Sequence, residues 1–324
     1  MIPKELLDFL RSKDSFLIIG HQEPDADCIG SQLALGSFLK RLGKQVRQCN
    51  QGPFKRPEIN SYQPLFSPRV DPFDKVSSPG VVVVDCSTID RIGELQADIE
   101  GLDAAVIDHH SAGQSFGTVR WVEGQRACCT EMIHELMLAL GGTPTPEEAH
   151  WLFLGLATDT GFFRHLEASA SATFRTAAAL ADSGASAKAV YQQLNGGKVL
   201  ANQRLMGLVL SRTQAFFNGR MVFSWEELGD RTQLGAESRE SDQIYQTLQG
   251  VVGVEIIVLL RQETATTVTG GLRSRALIDV GALAQSLGGG GHVRASGFSC
   301  TGTVAEVKAR ILELVEPAFA DKSQ

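Results

Sequence analysis

The chain has 324 residues, which points to about two domains. Hydrophobic residues make up 43% and charged residues 21%, a composition that excludes a disordered or fibrous chain. The formal net charge of -7 argues against a basic duplex-binding protein, although a local basic pocket or bound cations could still serve a short nucleic acid.

The N-terminal stretch MIPKELLDFLRSKDSFLIIG is charged throughout and lacks the apolar core of a signal peptide. FLIIG (16–20) reads as a short strand. CIGSQLALGSFLKRLG (28–43) has helical spacing and ends at Gly43, a C-cap candidate. VVVVD (81–85) and AAVID (104–108) read as strands buried on both faces. TEMIHELMLAL (130–140) and TPEEAHWLFLGLA (145–157) read as helices, with Thr130 and Thr145 as N-cap candidates. SATFRTAAALADSG (171–184) is a further helix. This alternation predicts an α/β fold, a doubly wound and mostly parallel sheet with helices on both faces, over residues 1–186.

Residues 187–206 carry no strand signal and read as a linker. A smaller mixed α/β domain is expected over 207–324. RTQAFFNGRMVFSW (212–225) reads as a hairpin turning at Asn218-Gly219. VEIIVLLRQ (254–262) and ATTVTGGLRS (265–274) read as strands. ALIDVGALAQSLG (276–288) reads as a helix, GGGGH (288–292) as a glycine loop and TVAEVKARILELVEPAF (303–319) as a last helix. No apolar run reaches membrane-spanning length. The six cysteines show no disulfide framework and no zinc spacing, which fits a reducing cytoplasm.

Open α/β sheets bind ligands at the carboxyl ends of their strands. There stand His21, Asp25 and Asp27 after the first strand, Asp85 after the VVVV run, and Asp108, His109 and His110 after AAVI. Asp159 follows the helix at 145–157. One Asp at a strand end is usually a cap or turn residue, but Asp or His at successive element ends is a pattern. Carboxylates gathered at one sheet end would repel one another unless cations lay between them. Mixed imidazole and carboxylate donors suit two divalent ions, manganese first, with magnesium or cobalt as alternatives. Paired ions of this kind clamp the attacking and leaving oxygens in phosphatases and nucleases. His134 and His150 read as surface residues. Arg164 and His165 lie close behind Asp159 in sequence. Phe162 and Phe163 read as core, with base stacking as the alternative.

These motifs, Asp108-His109-His110 with His21-x-x-x-Asp25-x-Asp27, Asp85 and Asp159, resemble the DHH phosphoesterase superfamily. LRSRA (272–276) and GGGGHVRASGF (288–298) resemble its associated C-terminal domain, in the bacterial RecJ-like oligoribonuclease (nanoRNase) subgroup. The resemblance implies exonucleolytic degradation of short oligoribonucleotides and dinucleotides to mononucleotides. In many members it also implies removal of phosphate from 3′-phosphoadenosine 5′-phosphate (pAp). It implies that His21, Asp25 and Asp85 hold one metal, and that Asp27, Asp85, His109 and Asp159 hold the other. Asp108 would orient a histidine, and His110 would contact the scissile phosphate or the nucleophile. Arg273, Ser274, Gly289, Gly290, Gly291 and His292 would bind the substrate, with the site in a cleft between the domains. A homodimer is compatible with the resemblance, and no residue fixes it. Ser111-Ala112-Gly113 departs from the family, where many relatives have Asn-Pro after the motif. Cys128-Cys129-Thr130-Glu131 departs too, and leaves the role of that helix N-terminus open, with anion binding through its backbone N–H groups as one reading. Two other readings stay open, a pyrophosphatase or polyphosphatase and an inactive nucleotide-sensing module.

Overall fold

The computed structural model describes residues 1–71, 78–110, 116–276 and 278–320, so Ser111-Ala112-Gly113 lies outside the described residues. It divides into two compact units, Met1–Gly197 and Lys198–Gln324.

In the first unit the strands are β1 (Ser15–Ile19), β2 (Gln45–Cys49), β3 (Gly80–Val84), β4 (Ala104–Asp108) and β5 (Val119–Val122). They form one sheet in the order β2-β1-β3-β4-β5, and every pairing is parallel. Parallel strands need covered faces, which explains why β3 and β4 are buried at every position. Phe16, Ile18, Val82, Val84, Ala105 and Ile107 pack on one face. There they meet α1 (Lys4–Ser12), α2 (Ala26–Arg41), α4 (Cys129–Ala139), α5 (Pro146–Asp159) and α6 (Ser171–Asp182). Leu17, Ile19, Val81, Val83 and Val106 face the other way, onto Ile92 and onto Leu95 of the short α3 (Leu95–Asp98). The chain leaves β1 toward β2 on one side and returns to β3 on the other. The carboxyl ends of β1 and β3 therefore flank the crevice where such sheets bind ligands.

Helix ends follow local chemistry in part. Thr145 caps α5 in a reciprocal capping box with Glu148, as its sequence predicts. The expectation for Thr130 does not hold. The N-cap of α4 is Cys128, without a side-chain bond, because the Asp27 carboxylate takes the exposed N–H groups of that helix. His134, expected at the surface, is buried on α4, and burial lowers its proton affinity. Residues 187–206 are mostly helical, in α7 (Ala187–Asn195) and α8 (Leu200–Ser211).

The second unit is a six-stranded mixed sheet in the order β10-β11-β9-β8-β7-β6. Its strands are β6 (Gln214–Phe216), β7 (Met221–Glu226), β8 (Ile256–Thr264), β9 (Thr267–Ser274), β10 (Gly290–His292) and β11 (Ala295–Thr301). Among the described residues of this sheet, only β7 and β8 pair in parallel. Helices α11 (Val280–Ser286) and α12 (Val304–Ala320) cover one face. The other carries α8 and α10 (Ser241–Gln249), and a short α9 (Asp230–Leu234) follows β7. Part of the expected glycine loop is an edge strand, since Gly290–His292 pairs with β11. Among the described residues no helix is long and apolar enough to cross a membrane.

Candidate metal centre

The loop after β1 starts the site. Asp25 caps α2, its Oδ1 accepting the N–H groups of Asp27 and Cys28 at 3.1 Å each. That cap fixes the first turn of α2 and turns Asp27 inward, where it is fully buried. Asp27 then accepts from Cys129 N at 2.6 Å, Thr130 N at 2.9 Å and Thr130 Oγ1 at 2.7 Å. One carboxylate so joins the start of α2 to the start of α4. Helix α5 comes equally close. A Cβ on Gly155 would lie 2.8 Å from the Asp27 Cα, so only glycine allows this approach. The same helix ends at Asp159.

Side chains from these elements and from the ends of β3 and β4 converge. His109 Nε2 lies 3.2 Å from Asp159 Oδ2, 3.4 Å from Asp85 Oδ1 and 3.7 Å from Asp27 Oδ2. His21 Nε2 lies 3.4 Å from Asp85 Oδ2 and 3.9 Å from Asp25 Oδ1. Asp85 thus presents one oxygen to each imidazole. The donor atoms of Asp27, His109 and Asp159 lie within 4.8 Å of one another, as do those of His21, Cys28 and Asp85. The second group holds the Cys28 sulfur in place of Asp25. The second oxygen of Asp25 faces Arg56 at 3.9 Å. Asp108 borders this cluster, with one of its donor atoms within 4.8 Å of those of Asp85, His109 and His110. Its Oδ1 accepts both the backbone N–H of His110 at 3.0 Å and His110 Nδ1 at 2.8 Å, which locks the ring.

The electrostatics are those of a site short of positive charge. Burial pushes the Asp27 carboxyl well above its usual range, and the charges of Asp159 and Asp85 add to this. Asp159 is raised for the same reasons, burial first and Asp85 next. It also sits on the last turn of α5, the negative end of the helix dipole. Burial raises Asp85 too, but contacts with His109 and His21 outweigh it and hold the carboxyl at about 2. Burial works against a proton on His109, yet Asp159 and Asp85 push it up to about 11. His21 is pushed up to about 12 against burial, by Cys28 and Asp85. Burial lifts Cys28 itself to about 11, so at neutral pH it is a thiol and Asp85 is the partner that counts. His110 is raised chiefly by its bond to Asp108.

Divalent cations fit these residues. Asp85 Oδ1, Asp108 Oδ2 and His109 Nε2 are buried without a hydrogen-bond partner. Buried polar atoms without a partner are costly, and the two carboxylate oxygens among these call for something electropositive. The other nitrogen of His109, Nδ1, contacts the Arg126 carbonyl at 3.3 Å, which leaves Nε2 to face the carboxylates. Sequence reading missed Arg126, because a backbone carbonyl leaves no residue-type signal.

The second unit holds the other expected residues. Arg273 and His292 both lie across from Ala295, so the three form one row on one face of β9, β11 and β10. The Arg273 guanidinium stands 4.3 Å from the Tyr245 ring centroid. Ser274 is buried, with its hydroxyl unpartnered. The glycines differ. A Cβ on Gly289 would lie 2.2 Å from the Gly297 carbonyl, and one on Gly291 2.6 Å from the Ser296 Cα, whereas one on Gly290 meets open space. Packing against β11 therefore accounts for Gly289 and Gly291, and only Gly290 offers bare backbone outward.

A parallel sheet that gathers imidazoles and carboxylates at its strand ends, followed by a mixed-sheet domain, defines a two-domain α/β protein whose first sheet carries a cluster suited to metal ions. Residues 15–156 match the N-terminal domain of the DHH family, and residues 220–321 match the DHHA1 domain. The chain belongs to the DHH family. It is 32% identical over 300 residues to the bifunctional oligoribonuclease and PAP phosphatase NrnA of Thermus thermophilus, covering 92% of this chain and 88% of that one. It is 27% identical over 301 residues to the Bacillus subtilis protein of the same name, covering 91% and 92%. An exopolyphosphatase-related protein from Bacteroides fragilis shares the fold, with a TM-score of 0.74 at 22% identity over 98% of this chain and 97% of that one.

Proposed function

We propose that this protein is a metal-dependent phosphoesterase that degrades very short RNA to mononucleotides and removes the 3′-phosphate of pAp. The observation that carries this reading is the 32% identity, across nine-tenths of the chain, to a protein named for those two activities. The donor set at the strand ends supports it.

We assign His21, Asp25 and Asp85 to one cation and Asp27, Asp85, His109 and Asp159 to the other, with Cys28 close to the first. Oxygen and imidazole donors favour manganese, with magnesium or cobalt as substitutes. Two divalent cations held there would supply Lewis acidity and a hydrolytic nucleophile at neutral pH. The chain's own residues do the rest. Asp108 holds His110 Nδ1, so Nε2 is left to face the substrate, and the same bond raises the proton affinity of the ring. His110 can therefore neutralise a phosphoryl oxygen or give its proton to the departing ribose oxygen. Thr130 and Cys129 hold the Asp27 carboxylate in one orientation. Arg273, Ser274, Gly290 and His292 are assigned to substrate binding, with Arg273 taking a phosphate. Among the described residues the cysteines form no disulfide, which supports work in a reducing compartment such as the cytoplasm.

A substrate panel with manganese tests the reading. It holds a 5′-labelled RNA dinucleotide, a five-residue RNA, a long RNA, pAp and pyrophosphate, each with wild type and with His109→Ala. Turnover of the short RNAs and of pAp, lost in the variant, is expected. Activity on pyrophosphate alone would overturn the substrate assignment.

A further inference from the structure

The turn after Asp159 runs against the preferences of its own residues. Gly161, Phe162 and Phe163 have φ of 55°, 57° and 72°, three left-handed residues in succession, and only the glycine takes that conformation freely. Hydrogen bonds hold the turn. Phe162 N donates to the Ala157 carbonyl at 2.6 Å, Phe163 N to Thr160 Oγ1 at 3.1 Å and His165 N to the Thr160 carbonyl at 3.0 Å. Strain that the surroundings over-determine tends to cluster where a molecule works.

Its effect here is to aim two rings. Phe163 stacks on Phe174 of α6, centroids 5.3 Å apart and planes 22° apart. Phe162 meets Tyr191 of α7 edge-on at 5.4 Å. The buried Phe153 of α5 backs both, at 6.5 and 6.3 Å. Core packing does not explain the outer rings, because Phe174 and Tyr191 are each 54% exposed. The fan also begins at the metal centre. Phe163 follows Asp159 by four residues, so their Cα atoms are at most about 15 Å apart. The same turn exposes Arg164, whose Nε donates to the Gly161 carbonyl at 2.8 Å.

We infer that the exposed face of the Phe163–Phe174 stack is a nucleobase subsite, which takes a base of the short RNA whose phosphate is at the metal centre. The inference rests on the phosphoesterase reading above and adds a residue set that the strand-end motifs do not contain. Stacking on a phenyl ring tolerates any base, since every base has a π-face, which suits an enzyme that clears short RNA regardless of sequence.

The test compares full-length wild type with Phe174→Leu, Phe174→Ala and Phe174→Tyr. Substrates are an RNA dinucleotide and two analogues in which one base or the other is replaced by hydrogen. Leu keeps apolar bulk on a helix surface, so it remains informative should Ala disturb folding. KM for the complete dinucleotide should rise about fivefold or more in the Leu and Ala variants, with kcat little changed, and Tyr should restore it. One abasic analogue should be turned over alike by wild type and variants, which identifies the stacked base. An unchanged KM on the complete dinucleotide, or equal losses on both abasic analogues, overturns the subsite. If wild type cleaves no dinucleotide at all, the phosphoesterase reading fails before any variant is examined, and the subsite fails with it.

Discussion

Asp27 has two tasks, and removing it should separate them. In the metal-free protein its carboxylate is a helix cap, accepting two backbone N–H groups and a hydroxyl at the start of α4. Asp27→Ala leaves both N–H groups buried without an acceptor, at about 1–3 kcal/mol each. The Thr130 hydroxyl retains Cys128 Sγ at 3.2 Å. Against this, the substitution withdraws a carboxylate crowded by Asp159 and Asp85, so the net loss should fall below the summed cost of the two groups, about 2–6 kcal/mol, and remain a destabilisation. Asp159→Ala is the comparison. Asp159 faces His109 at 3.2 Å but lies on the unfavourable end of the α5 dipole. Its removal should change metal-free stability by less than about 1 kcal/mol, in the stabilising direction. Urea unfolding in EDTA, with an unchanged m-value, reads both. Manganese at a hundredfold its Kd should add about 2.7 kcal/mol to wild type and less to either variant. If Asp159→Ala destabilised the EDTA-treated protein as much as Asp27→Ala, the capping role of Asp27 would be wrong.

Other outcomes follow from the same contacts. Glu148 is buried, bonded to Arg41 at 2.8 and 3.0 Å, and Arg41 with the Thr145 N–H outweighs burial to hold its carboxyl below the ordinary 4.5. A depressed folded value gives stability that is present above 4.5 and lost as pH falls through the folded value, so Glu148→Gln should flatten unfolding free energy against pH in that acid window. At neutral pH the same change should cost about 1–3 kcal/mol, and a wild-type acid profile in the variant would contradict the pairing. His21 and His109 carry protons in the metal-free protein, up to about 12 and 11, and can ligate only without them. Metal binding at neutral pH should therefore release protons and tighten as pH rises, which calorimetry in buffers of different ionisation enthalpy would measure; binding without proton release would refute it. Gly290→Ala should fold normally and weaken substrate binding, whereas Gly291→Ala should lower the melting temperature, because only the latter Cβ strikes β11. Equal melting temperatures would count against that distinction.

Much of the centre was legible because its parts are local. The VVVV run and AAVI are β-branched or small and buried on both faces, and each hands the chain to an Asp at its end. What was hidden depends on distant partners. Asp27 caps a helix more than one hundred residues away, a pairing that no window around Thr130 contains. Strand β2, QVRQC, is a sheet edge with exposed positions, so its polar residues conceal it. His134 sits among charged neighbours in sequence but is enclosed by the fold. Phe162 and Phe163 read as core and do pack against it, but ring hydrophobicity carries no information about their left-handed backbone or about the phenyl that α6 brings to Phe163.

The central claim is a dinuclear centre, bridged by Asp85, that hydrolyses short RNA. Equilibrium binding of manganese, measured beside dinucleotide turnover on wild type and Asp85→Ala, tests it most directly. The account predicts about two ions per wild-type chain, weakened binding of both in the variant, and turnover lost in parallel. Wild-type manganese binding by Asp85→Ala, or undiminished dinucleotide turnover in chelator, would contradict it.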